Sequence, residues 1–148
     1  MSDEFPNSII SALSDFISKC TLLQEDAPFY VDYLSGTETS YSIVPLPNDK
    51  ILAEYINGGS QREYAFAFQF GNLTADNAER IANSEFNEHF TDWLEQKTHD
   101  EDLPVLPEGM TCELIEAVQD GFLYQEGESG TSIYQINCRL QYEQQPKE

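Results

Sequence analysis

The chain has 148 residues and carries 27 acidic against 7 basic side chains, a formal net charge of -20. Length sets one domain as the natural expectation, residues 1–148, large enough to bury a core without metal or disulfides. The charge disfavours nucleic acid and anionic membranes as partners: the seven cations Lys19, Lys50, Arg62, Arg80, Lys97, Arg139 and Lys147 are scattered, and phosphate binding needs them clustered.

The first predicted element is a helix beginning after Pro6, capped by Asn7 or Ser8. Ile9, Ile10, Leu13, Phe16, Ile17 and Cys20 recur at three- and four-residue spacing and give it one buried face. Leu22, Leu23 and Pro28 close it. The period then changes. "FYVDYL" and "SYSIVP" read as short strands with Gly36 between them. Ile51–Ile56 and Arg62–Phe70 flank Asn57-Gly58-Gly59-Ser60, residues that tolerate positive φ, so this stretch reads as a hairpin. Its first arm also suits a short helix; strand is the favoured reading. In the second arm Tyr64, Phe66, Phe68 and Phe70 take alternate positions. With no basic residues interleaved, the aromatic face reads as core rather than as a stacking platform for bases. The opposite face, Ala65, Ala67 and Gln69, would lie under a helix or against a neighbouring subunit.

Thr74 is the expected cap of a second helix whose stripe is Ala78, Ile81, Ala82, Phe86, Phe90, Trp93 and Leu94. Asn83-Ser84 is a point where it could kink, and Lys97 suits its carbonyl end. "THDEDLPVLPEG" reads as an acidic loop. Thr111–Val118 reads as a strand, Asp120-Gly121 as a turn, Phe122–Gln125 as a continuing strand, and "EGESG" as a loop. Last, Tyr134, Ile136, Cys138, Leu140 and Tyr142 alternate with Gln135, Asn137, Arg139 and Gln141, as in a strand with one solvated face. Residues 1–6 and 144–148 read as loose termini. The order gives an α+β fold: an antiparallel or mixed sheet of four to six strands with two main helices packed on it.

Chemistry-bearing patterns are sparse. His89 borders the helical stripe and reads as a packed or partly exposed helix residue rather than a ligand or base. His99-Asp100-Glu101-Asp102 offers ligand types, but consecutive side chains diverge, so it reads as a solvated charge run. Gly127-Glu128-Ser129-Gly130 lacks the spacing of a nucleophile elbow. Cys20, Cys112 and Cys138 form no paired motif and read as reduced core thiols. No catalytic, cofactor-binding or metal-binding residue is expected, and no cofactor. The N-terminus has no basic region followed by an apolar one and no apolar run reaches membrane-spanning length, so the chain reads as cytoplasmic with no membrane partner.

"YSIVPLPNDKILAEYINGGSQREYAFAFQF", then "NSEFNEHFTDWLE", then "YQINCRLQYEQ" together resemble a family of small proteins encoded by prophages of Gram-positive bacteria, similar to tail-terminator and minor structural proteins of long-tailed phages. The resemblance runs from about Phe29 to Gln144. It implies a non-enzymatic protein that forms a ring, usually a hexamer, caps the tail tube and joins it to the head. The implied partners are further copies of itself, the tail tube protein and a head completion protein. The implied location is the host cytoplasm during assembly, then the tail or head–tail junction of the virion. A head–tail connection or minor capsid role is the near alternative. Arg62, Ala65, Ala67 and Gln69 are the candidate subunit-interface residues, with Arg62 the cation that offsets repulsion at a seam. An acidic lumen would let DNA pass without sticking. From another class, the charge alone suits an acidic mimic of DNA that inhibits a DNA-binding enzyme; a small enzyme is a third reading, weakened by the lack of a convergent site.

Overall fold

A computed structural model describes residues 5–23, 27, 29–31, 40–73, 77–119, 121–126 and 131–146, with the backbone alone for 72–73, 77–81, 83, 122–126 and 131. The elements are α1 (Ile9–Ser18), β1 (Phe29–Val31), β2 (Ser40–Pro45), β3 (Ile51–Glu54), β4 (Ser60–Leu73), α2 (Asn77–His99), β5 (Met110–Ala117), β6 (Phe122–Glu126) and β7 (Thr131–Gln144). This is the expected α+β class, a mixed sheet with two helices. The seven strands fill five lanes: β2 and β3 both pair with one side of β4, β5 and β6 both pair with the outer side of β7, and β1 lies parallel to β2.

The sheet is organised around β4 and β7. They pair antiparallel over 14 residues, from Ser60↔Gln144 to Leu73↔Thr131, without a register shift. Unbroken register keeps side-chain parity fixed, so even-numbered residues of both strands share one face and odd-numbered residues the other. The even face is the core. Phe66, Phe68, Phe70, Ile136, Cys138 and Leu140 are buried there, beside Tyr41 and Ile43 of β2 and Ile115 of β5. The helices cover that face. Phe90 of α2 stacks on Phe68 at 4.3 Å between ring centroids, and Phe86 meets the edge of Phe70 at 4.5 Å. Phe86 and Phe90 are four residues apart, one helical turn, which is why both reach the same strand. From α1, Leu13 and Ile17 are buried and Phe16 packs on Trp93 at 5.4 Å.

Local chemistry explains the boundaries. Ser8, one of the two expected caps, accepts a hydrogen bond through Oγ from the Ser11 N–H at 3.1 Å and starts α1. The hairpin turns at Gly58, where φ is +94°, a conformation glycine adopts without strain. Its first arm is strand, as favoured, over Ile51–Glu54. The helix α2 continues through Asn83-Ser84 without a break. Its expected cap, Thr74, and the side chains of Ala78 and Ile81 lie outside the described residues, and Ala82 is exposed rather than part of the apolar stripe. Asp120 of the expected turn lies outside the described residues; β5 before it and β6 after it pair along the same edge of β7.

Of the residues 144–148 expected to be loose, 144–146 are described and are held in place. Gln144 is paired in β7, the Gln145 N–H donates to the Gly109 carbonyl at 2.8 Å, and Pro146 lies against Gly58 and Gly59. Pro146 therefore braces the turn of the β3–β4 hairpin.

Candidate functional site

The odd-numbered face of β4 and β7 is the first candidate surface. It carries a chain of amides: Gln69 Nε2 donates to Gln135 Oε1 at 2.6 Å, Gln135 Nε2 to Asn137 Oδ1 at 2.7 Å, and Asn137 Nδ2 to Gln119 Oε1 at 3.2 Å. The ladder then becomes ionic. Arg139 holds Glu116 through Nη2 at 2.6 Å and Nε at 2.7 Å, and its Nη1 lies 3.7 Å from Glu63. Gln141 Nε2 donates to Glu63 Oε1, and Gln61 Nε2 to Glu113 Oε1, both at 3.1 Å. Gln69, Gln135 and Asn137 each donate to the next amide along the row, and Gln141 and Gln61 donate to carboxylates, so the row is cross-linked along the sheet.

This arrangement separates the four interface candidates. Ala65, Ala67 and Gln69 share the odd face; Arg62 is on the even face with the aromatic residues. Ala67 is fully buried and Ala65 half-buried, and Gln69 is bonded to Gln135. Neither helix packs there, since both lie on the aromatic side. Arg62 donates through Nε to Ser60 Oγ at 2.9 Å and also hydrogen-bonds Tyr142, opposite it in register. It is thus tied within its own chain.

Titratable groups do not converge. His89 and His99 are exposed on α2, and no group of three or more His, Cys, Asp or Glu side chains able to hold a metal occurs among the described residues. Cys138 is buried, and burial pushes its thiol well above the ordinary range. Burial likewise raises Cys20, and raises Cys112 to about 12. All three stay protonated near neutral pH, the opposite of what a thiol nucleophile needs.

Two other surfaces stand out. On α2, Glu85, Glu88, Asp92 and Glu95 are exposed; their spacing of three, four and three residues aligns them as one acidic ridge about 15 Å long at ~1.5 Å per residue. The second surface is apolar. Eight large hydrophobic residues are exposed among the described residues, and four of them, Ile51, Leu52, Tyr55 and Ile56, belong to the β3–β4 hairpin. Ile56, at its tip, is 107% exposed. A cleft of about 510 Å³ beside Phe16 and Trp93 contains two cations, but both are matched: Lys19 to Asp15 at 3.2 Å and Lys97 to Asp102 at 2.8 Å.

The cross-strand ladder was not visible in sequence because its partners come from β4, β5 and β7. The signal was the polar series Gln135, Asn137, Arg139, Gln141, which gains meaning only once placed opposite Gln69, Ala67, Ala65 and Glu63.

No family model matches the chain, and no curated protein matches it in sequence.

Proposed function

We propose that this chain is a non-enzymatic structural subunit of a long-tailed phage, a tail terminator that forms a ring, caps the tail tube and joins it to the head. The resemblance of residues from about Phe29 to Gln144 to prophage structural proteins supports the reading. The observation that carries it is the set of exposed apolar residues Ile51, Leu52, Tyr55 and Ile56 of the β3–β4 hairpin on a chain of net charge -20. An exposed apolar patch on a strongly acidic body marks a protein contact rather than a nucleic-acid or membrane contact. The partners in this reading are other copies, the tail tube protein and a head completion protein. The protein works in the host cytoplasm during assembly and at the head–tail junction afterwards. The acidic charge lines the passage and keeps DNA from adhering.

Polymerising tail tube protein with and without this chain tests the reading. A terminator yields tubes that stop growing and carry a ring at one end in electron micrographs. Tubes of unchanged length with bare ends would count against it.

A second reading is favoured by the α2 ridge. Four carboxylates in a line imitate a phosphate row, as an inhibitor that occupies the basic cleft of a DNA-binding enzyme requires. Such a mimic binds basic proteins with affinity that falls steeply with salt. Titration of a DNA-binding enzyme at two ionic strengths separates the two: salt-sensitive inhibition supports the mimic, and no inhibition removes it.

A further inference from the structure

We infer that Asn57, in the turn of the β3–β4 hairpin, is a site of spontaneous covalent modification: its side-chain amide is lost as ammonia through a ring formed with the Gly58 nitrogen, at a rate set by how firmly the turn is held. The inference stands apart from the proposed function and does not rest on it.

Of the eight asparagines in the chain, Asn57 alone is followed by glycine. The neighbour matters because the nucleophile in this reaction is the main-chain nitrogen of the next residue, and a glycine nitrogen has no Cβ beside it to block the approach. Asparagine counts among the thermolabile residues. Position adds to sequence: Asn57 is exposed, as is Ile56 before it, so water and base reach the turn. Other asparagines are better protected. The amides of Asn48 and Asn137 are tied to neighbouring strands and loops, and Asn87 is buried.

The turn holds the two reacting groups in opposite states. The Gly59 N–H donates to Asn57 Oδ1 at 2.9 Å. That bond draws the side chain over the following peptide and stabilises the negative charge that grows on Oδ1 when its carbonyl carbon is attacked. The electrophile is thus prepared, while the nucleophile is locked. The Gly58 N–H donates to the Tyr55 carbonyl at 3.0 Å, and the Tyr55 N–H donates to the Gly59 carbonyl at 2.8 Å. While the first of these bonds lasts, the proton that the Gly58 nitrogen must give up is held by Tyr55. Pro146 braces the lock: a Cβ on Gly58 or on Gly59 would lie 3.4 Å from it. The Gln145 N–H fixes the residue before it to the Gly109 carbonyl at 2.8 Å. The reaction therefore waits on local opening of the turn, and the brace governs how often the turn opens.

Water is the only co-reactant. Once the bond to Tyr55 opens, the Gly58 nitrogen gives its proton to solvent and forms a bond to Asn57 Cγ. The Cγ–Nδ2 bond breaks, and Nδ2 takes a proton from water and leaves as ammonia, so a cyclic imide closes. A water molecule then adds to the imide. Cleavage between the Gly58 nitrogen and Cγ leaves an aspartate at position 57. Cleavage between that nitrogen and the main-chain carbonyl carbon leaves the isomer, whose main chain runs through the former side chain and is longer by a methylene. No oxidation or reduction occurs. Either product places a carboxylate in the turn. Residues 49–62, with Asp49 and Glu54 against Lys50 and Arg62, are formally neutral before the change and negative after it. The isomer also lengthens a turn that is packed on Gln144 and Pro146.

Trypsin cuts after Lys50 and Arg62, so peptide 51–62 contains Asn57 as its single asparagine. The full-length protein is held in mildly alkaline buffer made with heavy-oxygen water, then digested in ordinary water, and the peptide is followed by mass spectrometry. The same protein in urea and a Pro146→Gly variant are run beside it; Pro146 is exposed, and a melting curve will verify that the variant folds. Peptide 51–62 should convert ahead of every other asparagine peptide, into two chromatographically separate products of equal mass, each carrying a heavy oxygen. Conversion should be several-fold faster in urea than in the fold. Pro146→Gly should speed the folded reaction and leave the rate in urea unchanged. A folded chain that keeps Asn57 intact while other asparagines react overturns the site. Equal rates with and without urea overturn control by the turn, whatever the variant does, and a folded Pro146→Gly protein that reacts at the wild-type rate overturns the brace.

Discussion

Phe68 is where the two layers meet. It is fully buried, stacks on Phe90 at 4.3 Å, and lies about 6 Å from Tyr41 and Phe86. Removing that ring leaves a cavity that rigid neighbours on both sides cannot close. Phe68→Ala should therefore lose about 3–5 kcal/mol in urea unfolding; a loss near 1 kcal/mol would mean that the layers slide together. The thiols give a pH signature. Burial raises Cys112 from 9.0 to about 12 and raises Cys20 and Cys138 too. In each case the folded chain holds the proton more tightly than the unfolded chain. Their contribution is complete below pH 9 and declines as pH climbs from 9 toward 12. Unfolding midpoints should fall across that window, and Cys112→Ala should make the fall shallower. Near pH 8, Cys138 should resist thiol reagents until the protein unfolds.

At the scale of elements, the junction of α2 with the β5–β6 step is fitted around a glycine. A Cβ on Gly121 would lie 2.4 Å from Asn87 Cγ, and Asn87 is itself buried, with Oδ1 lacking a hydrogen-bond partner among the described residues. Gly121→Ala should destabilise by about 1–3 kcal/mol, the usual range for overpacking. The same substitution in an Asn87→Ala background should cost much less; equal costs in both would show that the two residues do not share the space. The sequence disclosed this region unevenly. Alternation in Tyr134 to Tyr142 and the stripe Phe86, Phe90, Trp93 and Leu94 made strand, helix and core readable, because each period depends on neighbours in the chain. That β5 and β6 share one edge of β7 was not readable. Whether the chain turns back between two strands or merely interrupts one depends on which strand lies alongside, and that is β7. The interface candidates divide for a related reason. Arg62 and Ala65 differ by an odd number of positions, so an unbroken strand must put them on opposite faces; Arg62 stands out in the sequence by its charge, which carries no information about its face.

For the whole molecule, charge outweighs every other influence outside the core. Twenty surplus negative charges repel one another most in the compact state, and added salt screens them over about 10 Å at 0.1 M. The melting temperature should rise between 10 and 300 mM NaCl, by several degrees if even 1–2 kcal/mol of repulsion is relieved; a flat response would show that local pairs such as Arg139 with Glu116 already compensate. Salt should also favour assembly, since copies repel before they touch.

The long β4–β7 pairing has a mechanical meaning as well. Fourteen consecutive residue pairs form a beam roughly 45 Å long at ~3.4 Å per residue. The turn of the β3–β4 hairpin lies at one end of it, and Gln144 and Pro146 pack against that same end. A pull along the strands loads the cross-strand hydrogen bonds in shear, all at once, whereas a pull across them would peel the bonds open one after another. A subunit joined to its neighbours at that end would carry axial tension without stretching, and would yield first if twisted out of the plane of the sheet.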